Sequence, residues 1–338
     1  MDARELRELL EPLPRVHLCT TPSPLESWQR IPEAWCPGSR LQVKRDDLIG
    51  PGYGGNKSRQ LEFLLGDALS KGCDTIVHGG AVQSNYCRQL AAACAQLGLE
   101  CHVVLSSGYS QPLERGSHLL TVLFGADVQL FDGPLGSGHE AAKRELADRL
   151  QMEGKSPYLI TYPSSEVLGA CGYIDAAAEL SLQLDSSTAR PTNIFVAAVG
   201  ATYAGLLLGL RMLGEEIPIR GIAPLKGEYD IVRAIRKAIM GTAEILGVDV
   251  PVGTLEQITI SEEWVGDGYG QPTQKGLAAL HDVARSQGVL LDPVYTSKAM
   301  AATREQLAPG ESTLFWHTGG SPALFAFESV LLSSRKDL

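Results

Sequence analysis

Residues 44–65 read KRDDLIGPGYGGNKSRQLEFLL. A run of charges meets Gly50, Gly52, Gly54 and Gly55, and Asn56 and Lys57 then open an amphipathic stretch. Leu61, Leu64, Leu65, Ala68 and Leu69 share one face of it, which predicts a helix over 57–71. Glycines this dense let a backbone turn tightly and approach a ligand. A lysine where such a loop meets a helix start lies near the positive helix end. That surrounding depresses an amine's pKa, and the neutral amine is the form that attacks a carbonyl carbon. Two plainer readings compete. A lysine at a helix start is ordinarily a solvated surface charge. The stretch also approaches a phosphate loop, but its spacing misses the nucleotide pattern by one residue. It also follows charges rather than a buried strand.

Beyond this stretch apolar runs and amphipathic runs alternate. Strands are expected at DTIVH (74–78), CHVVL (101–105), DVQLF (127–131), YLI (158–160), NIFVAAV (193–199), 219–223 and TLFWH (313–317). Helices are expected over 84–98, 117–124, 139–153, 169–184, 204–213, 229–246 and 273–287, with a last one after Pro322. Residues 12–40, 186–192 and 247–272 read as irregular. Such alternation means an α/β fold with mainly parallel sheets covered on both faces. No fixed period recurs, so this is not a solenoid.

The chain has 338 residues, 44% hydrophobic and 20% charged, enough for one large α/β unit or two domains. Its net charge of -10 repels phosphate backbones and argues against nucleic acid as a partner. No apolar run is long enough to span a bilayer, and the first residues lack the apolar core of a signal peptide. The expected address is therefore the cytoplasm, with no membrane partner. The 7 cysteines include no C-x-x-C pair and the 7 histidines no H-E-x-x-H, so neither a disulfide framework nor a metal is expected.

Three further clusters could carry chemistry. HGGAVQSN (78–85) joins a strand to a helix, so its N–H groups suit a carboxylate or phosphate, and Gln83, Ser84 and Asn85 add polar side chains. Ser84 could equally be a plain helix cap, and the two roles can coexist. Val199, Gly200, Ala201, Thr202 and Tyr203 also join an apolar strand to an apolar helix. With no lysine for a triphosphate and no acid for magnesium, this loop suits one monophosphate, or else is tight packing by glycine. Near the end come DGYG (267–270), DPVYT (292–296) and HTGG (317–320). Ligands bind at the carboxyl ends of strands in open α/β sheets. Taken singly, Tyr269 and Tyr295 would more often be packing residues.

These clusters, in this order, resemble the pyridoxal 5'-phosphate (PLP) dependent family of 1-aminocyclopropane-1-carboxylate (ACC) deaminase and D-cysteine desulfhydrase. That family has the tryptophan synthase β-like fold, PLP fold type II. The matching stretches are KRDDLIGPGYGGNKSRQLEFLL, GGAVQSN, VGATYAGLL, GYG, DPVYTSKAM and HTGGSPALFAF, from residue 44 to 327. The resemblance implies two three-layer α/β/α domains. Residues 1–57 and 171–338 would form the larger, PLP-binding one, and 58–170 a smaller inserted one, with the cofactor in the cleft. Lys57 would hold PLP as a Schiff base. Ser84 would contact the substrate carboxylate near the reacting carbon, and Gln83 would lie beside it. Asn85 would bond the ring hydroxyl. Val199, Gly200, Ala201, Thr202 and Tyr203 would cup the phosphate, and Thr318 would meet the ring nitrogen. Tyr269, Tyr295 and Thr296 would face the substrate. A homodimer is implied.

The chain departs from the family pattern at Tyr86, where histidine or glutamine is common, and at Ser117, where many relatives carry asparagine. Within the family, ACC deaminases look like DPVYE with LGG, and D-cysteine desulfhydrases like DPVY-Ser/Thr with TGG. Thr296 and Thr318 match the second pattern. A hydroxyl at the ring nitrogen makes a weaker electron sink than a carboxylate. The expectation is β-elimination from a small amino acid: D-cysteine, with L-cysteate or ACC as alternatives. A non-catalytic PLP-binding protein is the rival from another class.

Overall fold

The computed structural model describes residues 1–109, 112–162, 164–185, 189–197, 200–227 and 230–334, with Ser164 described by its backbone alone. Expectations for Val199, for residues 186–188 and for the helix start at 229 lie outside the described residues.

Ten strands are described: β1 (Leu25–Trp28), β2 (Arg40–Arg45), β3 (Thr75–Ala81), β4 (Glu100–Ser106), β5 (Asp127–Phe131), β6 (Pro157–Leu159), β7 (Asn193–Val196), β8 (Ile219–Ile222), β9 (Thr259–Ser261) and β10 (Ser312–His317). The first six helices are α1 (Ala3–Glu8), α2 (Arg30–Trp35), α3 (Lys57–Ser70), α4 (Asn85–Leu97), α5 (Gly116–Leu123) and α6 (Ser137–Met152). The rest are α7 (Ser164–Asp185), α8 (Ala201–Met212), α9 (Ile231–Leu246), α10 (Gln274–Gln287), α11 (Thr296–Glu305) and α12 (Glu328–Ser333).

The strands form two sheets, of order β1-β2-β10-β7-β8-β9 and β5-β4-β3-β6. Among the described residues only the β1–β2 pair is antiparallel. The central strand β10 is buried along its whole length, as a strand covered on both faces must be. One face of the larger sheet packs Ile194, Leu314 and Trp316 against α7, α8 and α9. The other packs Phe195 and Phe315 against α10 and α11. The smaller sheet sets Ile76 and Val103 against Leu61, Leu65 and Leu90 of α3 and α4. Its reverse sets Val77 and Val104 against Leu146 and Leu150 of α6. Each sheet is thus the middle of three layers.

Several expectations are corrected here. The stretch 12–40 is not irregular, since β1 and α2 lie within it, and β9 lies within 247–272. Helix α11 has no expected counterpart. Helix α7 begins at 164 rather than 169, and α8 at 201 rather than 204.

Candidate active site

Both sheets point the carboxyl ends of their strands at one cavity of about 170 Å³. Its walls come from the end of β3 and the head of α4 (His78–Ala81, Ser84–Tyr86), from Ala197 after β7, and from Pro224 and Leu225 after β8. Thr318 and Gly319 after β10 add to them, as do Asn56, Lys57, Leu135, Tyr162, Tyr269 and Tyr295.

Lys57 is the first residue of α3. The loop before it needs its glycines: Gly55 has φ +126, and a β-carbon there would lie 2.7 Å from Gln89 Nε2 and 3.1 Å from the Thr318 carbonyl. Asn56 does not cap α3 with its side chain. Its backbone N–H donates to the Thr318 carbonyl at 3.0 Å, and its Nδ2 donates to Thr202 Oγ1 at 2.9 Å. The lysine is thereby tied to the ends of β10 and α8 at once. Burial pushes its amine pKa down, with Glu166 opposing. The Nζ atom lies 5.6 Å from the centre of the Tyr86 ring. It is a half-buried amine lining the cavity, its pKa lowered by desolvation, and not the solvated charge that propensity alone suggests.

Ser84 caps α4 by accepting the Cys87 N–H at 3.1 Å, and it also lines the cavity. Asn85 follows, its Oδ1 accepting from Arg88 and Ser117. Tyr269 and Tyr295 share a hydrogen bond at 2.5 Å between their hydroxyls. Burial pushes Tyr269 up to about 12 and raises Tyr295 as well, so both phenols stay protonated. The Asp292 carboxylate fixes Tyr295 by accepting its N–H at 2.9 Å.

Three expected residues are turned elsewhere. Gln83 does not line the cavity; its amide donates to the carbonyls of Pro112 and Arg115 and accepts the Ser117 N–H. Thr296 spends its hydroxyl on Asp292. Tyr203 points into the core, where its hydroxyl donates to the Ile219 carbonyl at 3.0 Å, because a helix carries its third residue away from the strand end. Gly200, Ala201 and Thr202 head α8, and Thr202 Oγ1 accepts from both Asn56 and Gln60 at 2.9 Å. With its lone pairs engaged, its own proton is left to donate.

Residues that sequence reasoning did not assign also stand here. His78 is held neutral, its pKa driven to about 3 by burial and Lys143. Glu166 of α7 accepts the Ala201 N–H at the head of α8. Nothing in the sequence pairs residues 166 and 201; their contact comes from how α7 crosses α8.

Residues 16–319 match the family described as pyridoxal-phosphate dependent enzyme. The chain belongs to that family. Among curated relatives, a D-cysteine desulfhydrase of Serratia proteamaculans (strain 568) is 36% identical over 332 residues, spanning 95% of this chain and 98% of that one. One of Klebsiella pneumoniae (strain 342) is 36% identical over 330 residues, spanning 94% and 97%. Among solved structures, that of an ACC deaminase homologue superposes with a TM-score of 0.87 at 35% identity, over 97% of this chain and 98% of that one. The chain is thus a PLP enzyme of fold type II.

The residues present suit that cofactor. An aldehyde needs an amine that gives up its proton, and desolvation lowers the Lys57 pKa in that direction. A phosphate needs an anion seat, and the Ala201 N–H at the head of α8 already donates to a carboxyl oxygen, that of Glu166. Gly200 there has φ +71 and no side-chain cap, and a β-carbon on it would collide with the Glu166 carboxylate.

Proposed function

We propose that the protein is a carbon–sulfur lyase that converts D-cysteine and water to pyruvate, hydrogen sulfide and ammonia. The observation that carries this reading is the phenol pair, Tyr269 and Tyr295, in one small cavity with the Lys57 amine. The full-length relatives named D-cysteine desulfhydrase support it.

In this reading Lys57 would hold the cofactor through its aldehyde. The head of α8 and the Thr202 hydroxyl would hold its phosphate, Asn85 its ring hydroxyl and Thr318 its ring nitrogen. When bound, PLP supplies an electron sink for the pair left at the substrate Cα. Ser84 and the N–H groups at the head of α4 orient the substrate carboxylate. The Lys57 amine would take the Cα proton, and its lowered pKa favours the unprotonated form that acts as a base. One phenol proton is used between Tyr269 and Tyr295; the other is free to donate to the departing sulfur. Residues 58–170 act as a smaller unit inserted in the larger, and the enzyme works as a cytoplasmic homodimer.

The cavity favours a thiol over a sulfonate. Among the described residues lining it, Lys57 is the one cationic side chain, and His78 is neutral, so a sulfonate would find no further positive partner. The test is product analysis with D-cysteine, L-cysteate and ACC in parallel. Pyruvate with sulfide from D-cysteine is expected. Sulfite from L-cysteate, 2-oxobutyrate from ACC, or no turnover of any of the three would each replace this reading.

A further inference from the structure

Glu166 stands in the first turn of α7, yet its side chain leaves that helix and ends on the Ala201 N–H of α8. The head of α8 has no side-chain cap of its own, so its N–H groups accept an anion from elsewhere. Gly200 leaves the room in which the carboxylate lies. A second feature lies on α4. The Tyr86 hydroxyl, on a side chain more than nine-tenths buried, has no hydrogen-bond partner among the described residues. The charge of Glu166 is within its electrostatic reach. The groups that face Glu166 are therefore Lys57 from α3, Tyr86 from α4 and the Ala201 N–H from α8.

We infer that Glu166 is a placeholder for the cofactor phosphate: it occupies the anion seat at the head of α8 in the unloaded protein, and on loading it withdraws toward the Tyr86 hydroxyl and takes up a proton from solvent. The inference rests on the head of α8 being the phosphate seat. A phosphate carrying close to two negative charges cannot share that seat with a buried carboxylate, because like charges at contact in a low dielectric repel strongly. Withdrawal costs the Ala201 hydrogen bond, and an unpartnered phenol offsets it. Protonation removes the remaining repulsion. Burial already pushes the Glu166 carboxyl up, with Lys57 and the Ala201 N–H opposing, so the proton is near at hand.

The linkage has a definite sign. The arriving phosphate raises the Glu166 pKa above its unloaded value, so loading takes up as much as one proton. Affinity is then fullest below the unloaded pKa. It falls as pH rises, by at most tenfold per pH unit, until the loaded pKa is passed.

The test compares PLP with pyridoxal, which lacks the phosphate. Enzyme freed of cofactor by dialysis against hydroxylamine is titrated with each, and the lysine–cofactor absorbance reads the affinity from pH 6 to 9. Changes at the Lys57 amine move both ligands alike, so the ratio of the two affinities isolates the phosphate seat. In Glu166→Gln we expect that ratio to rise at least tenfold at pH 8 and its pH slope to flatten. Tyr86→Phe keeps the inference falsifiable should the first variant fold poorly: it should lower the ratio about threefold in the parent protein and leave it unchanged beside Glu166→Gln. An unchanged ratio in Glu166→Gln, with the parent still preferring PLP, overturns the placeholder alone. A parent that binds pyridoxal as tightly as PLP overturns the phosphate seat and the placeholder together.

Discussion

Lys57 and Arg59 leave the same turn of α3 two residues apart, and they meet opposite surroundings. Arg59 is fully buried and fully paired. Its guanidinium donates to Asp46 at 2.9 and 3.0 Å, to Glu179 at 3.0 and 3.1 Å, and to Ser23 Oγ at 3.2 Å. Asp46 also accepts from the Tyr173 hydroxyl and the Trp316 indole, and Glu179 pairs with Lys44. Among the described residues, Lys57 faces the Tyr86 ring, the charge of Glu166 and the neutral His78, with no ion pair of its own. The difference separates frame from site. A buried charge with every donor engaged has little freedom to titrate or move, so the Arg59 network fixes the start of α3 between the two sheets. A buried charge with few partners is free to change its protonation state, which is what chemistry asks of it. The frame absorbs the cost of holding Lys57 in an apolar place.

If that division is right, substitutions at the two positions should fail in different ways. Lys57→Ala has the largest expected effect: activity falls by about 10³-fold or more, and cofactor absorbance is lost on gel filtration. Measured against parent protein freed of cofactor, its urea midpoint should not fall, because a partly desolvated amine with few partners is removed. Retained absorbance with full activity would end the assignment of Lys57. Arg59→Leu should do the reverse. It leaves Asp46 and Glu179 buried with Lys44 alone, a loss of about 3–5 kcal/mol by urea unfolding. The pH dependence has a sign. Burial pushes the Asp46 carboxyl up, but Arg59, Lys44 and Trp316 outweigh it and hold it at about 2. A depressed carboxyl adds stability that is whole above the ordinary carboxylate range and is lost as pH falls through about 2. The gap between Arg59→Leu and the parent should therefore be widest at neutral pH and narrow as the solution is acidified. A gap independent of pH would mean that packing, not charge, holds this region.

The same division decides what could be read in advance. Lys57, Ser84 and the HTGG turn are legible because glycine punctuates short loops between apolar runs, and such loops must lie at strand ends. The frame is much less legible. Strand β2 carries Lys44 and Arg45, which look like surface charges; both are buried, paired with Glu179 and with Glu26 and Asp47. Helix α11 is buried on nearly every side, so it lacks the apolar and polar faces that announce a helix. Thr296 and Tyr203 have the right chemistry for a site, but their polar atoms are spent on Asp292 and on the Ile219 carbonyl. Glu166 is the opposite case. It reads as an ordinary first-turn acid, and only the crossing of α7 over α8 brings it to Ala201.

Ser84 belongs to both regions, and it yields the smallest effect and the sharpest division. As a cap it accepts the Cys87 N–H; as a wall of the cavity it stands where a substrate would lie. Loss of a serine cap to alanine costs about 1 kcal/mol, whereas glycine at the same place costs only a few tenths. Ser84→Ala and Ser84→Gly should therefore differ in urea midpoint. Both lack the hydroxyl, so if that hydroxyl touches the substrate they should lose kcat/KM equally, by about tenfold, the worth of one hydrogen bond of about 1.4 kcal/mol. Activity that instead followed stability, with Ser84→Gly close to the parent, would make Ser84 a cap and nothing more. The substrate carboxylate would then be held by the α4 backbone alone.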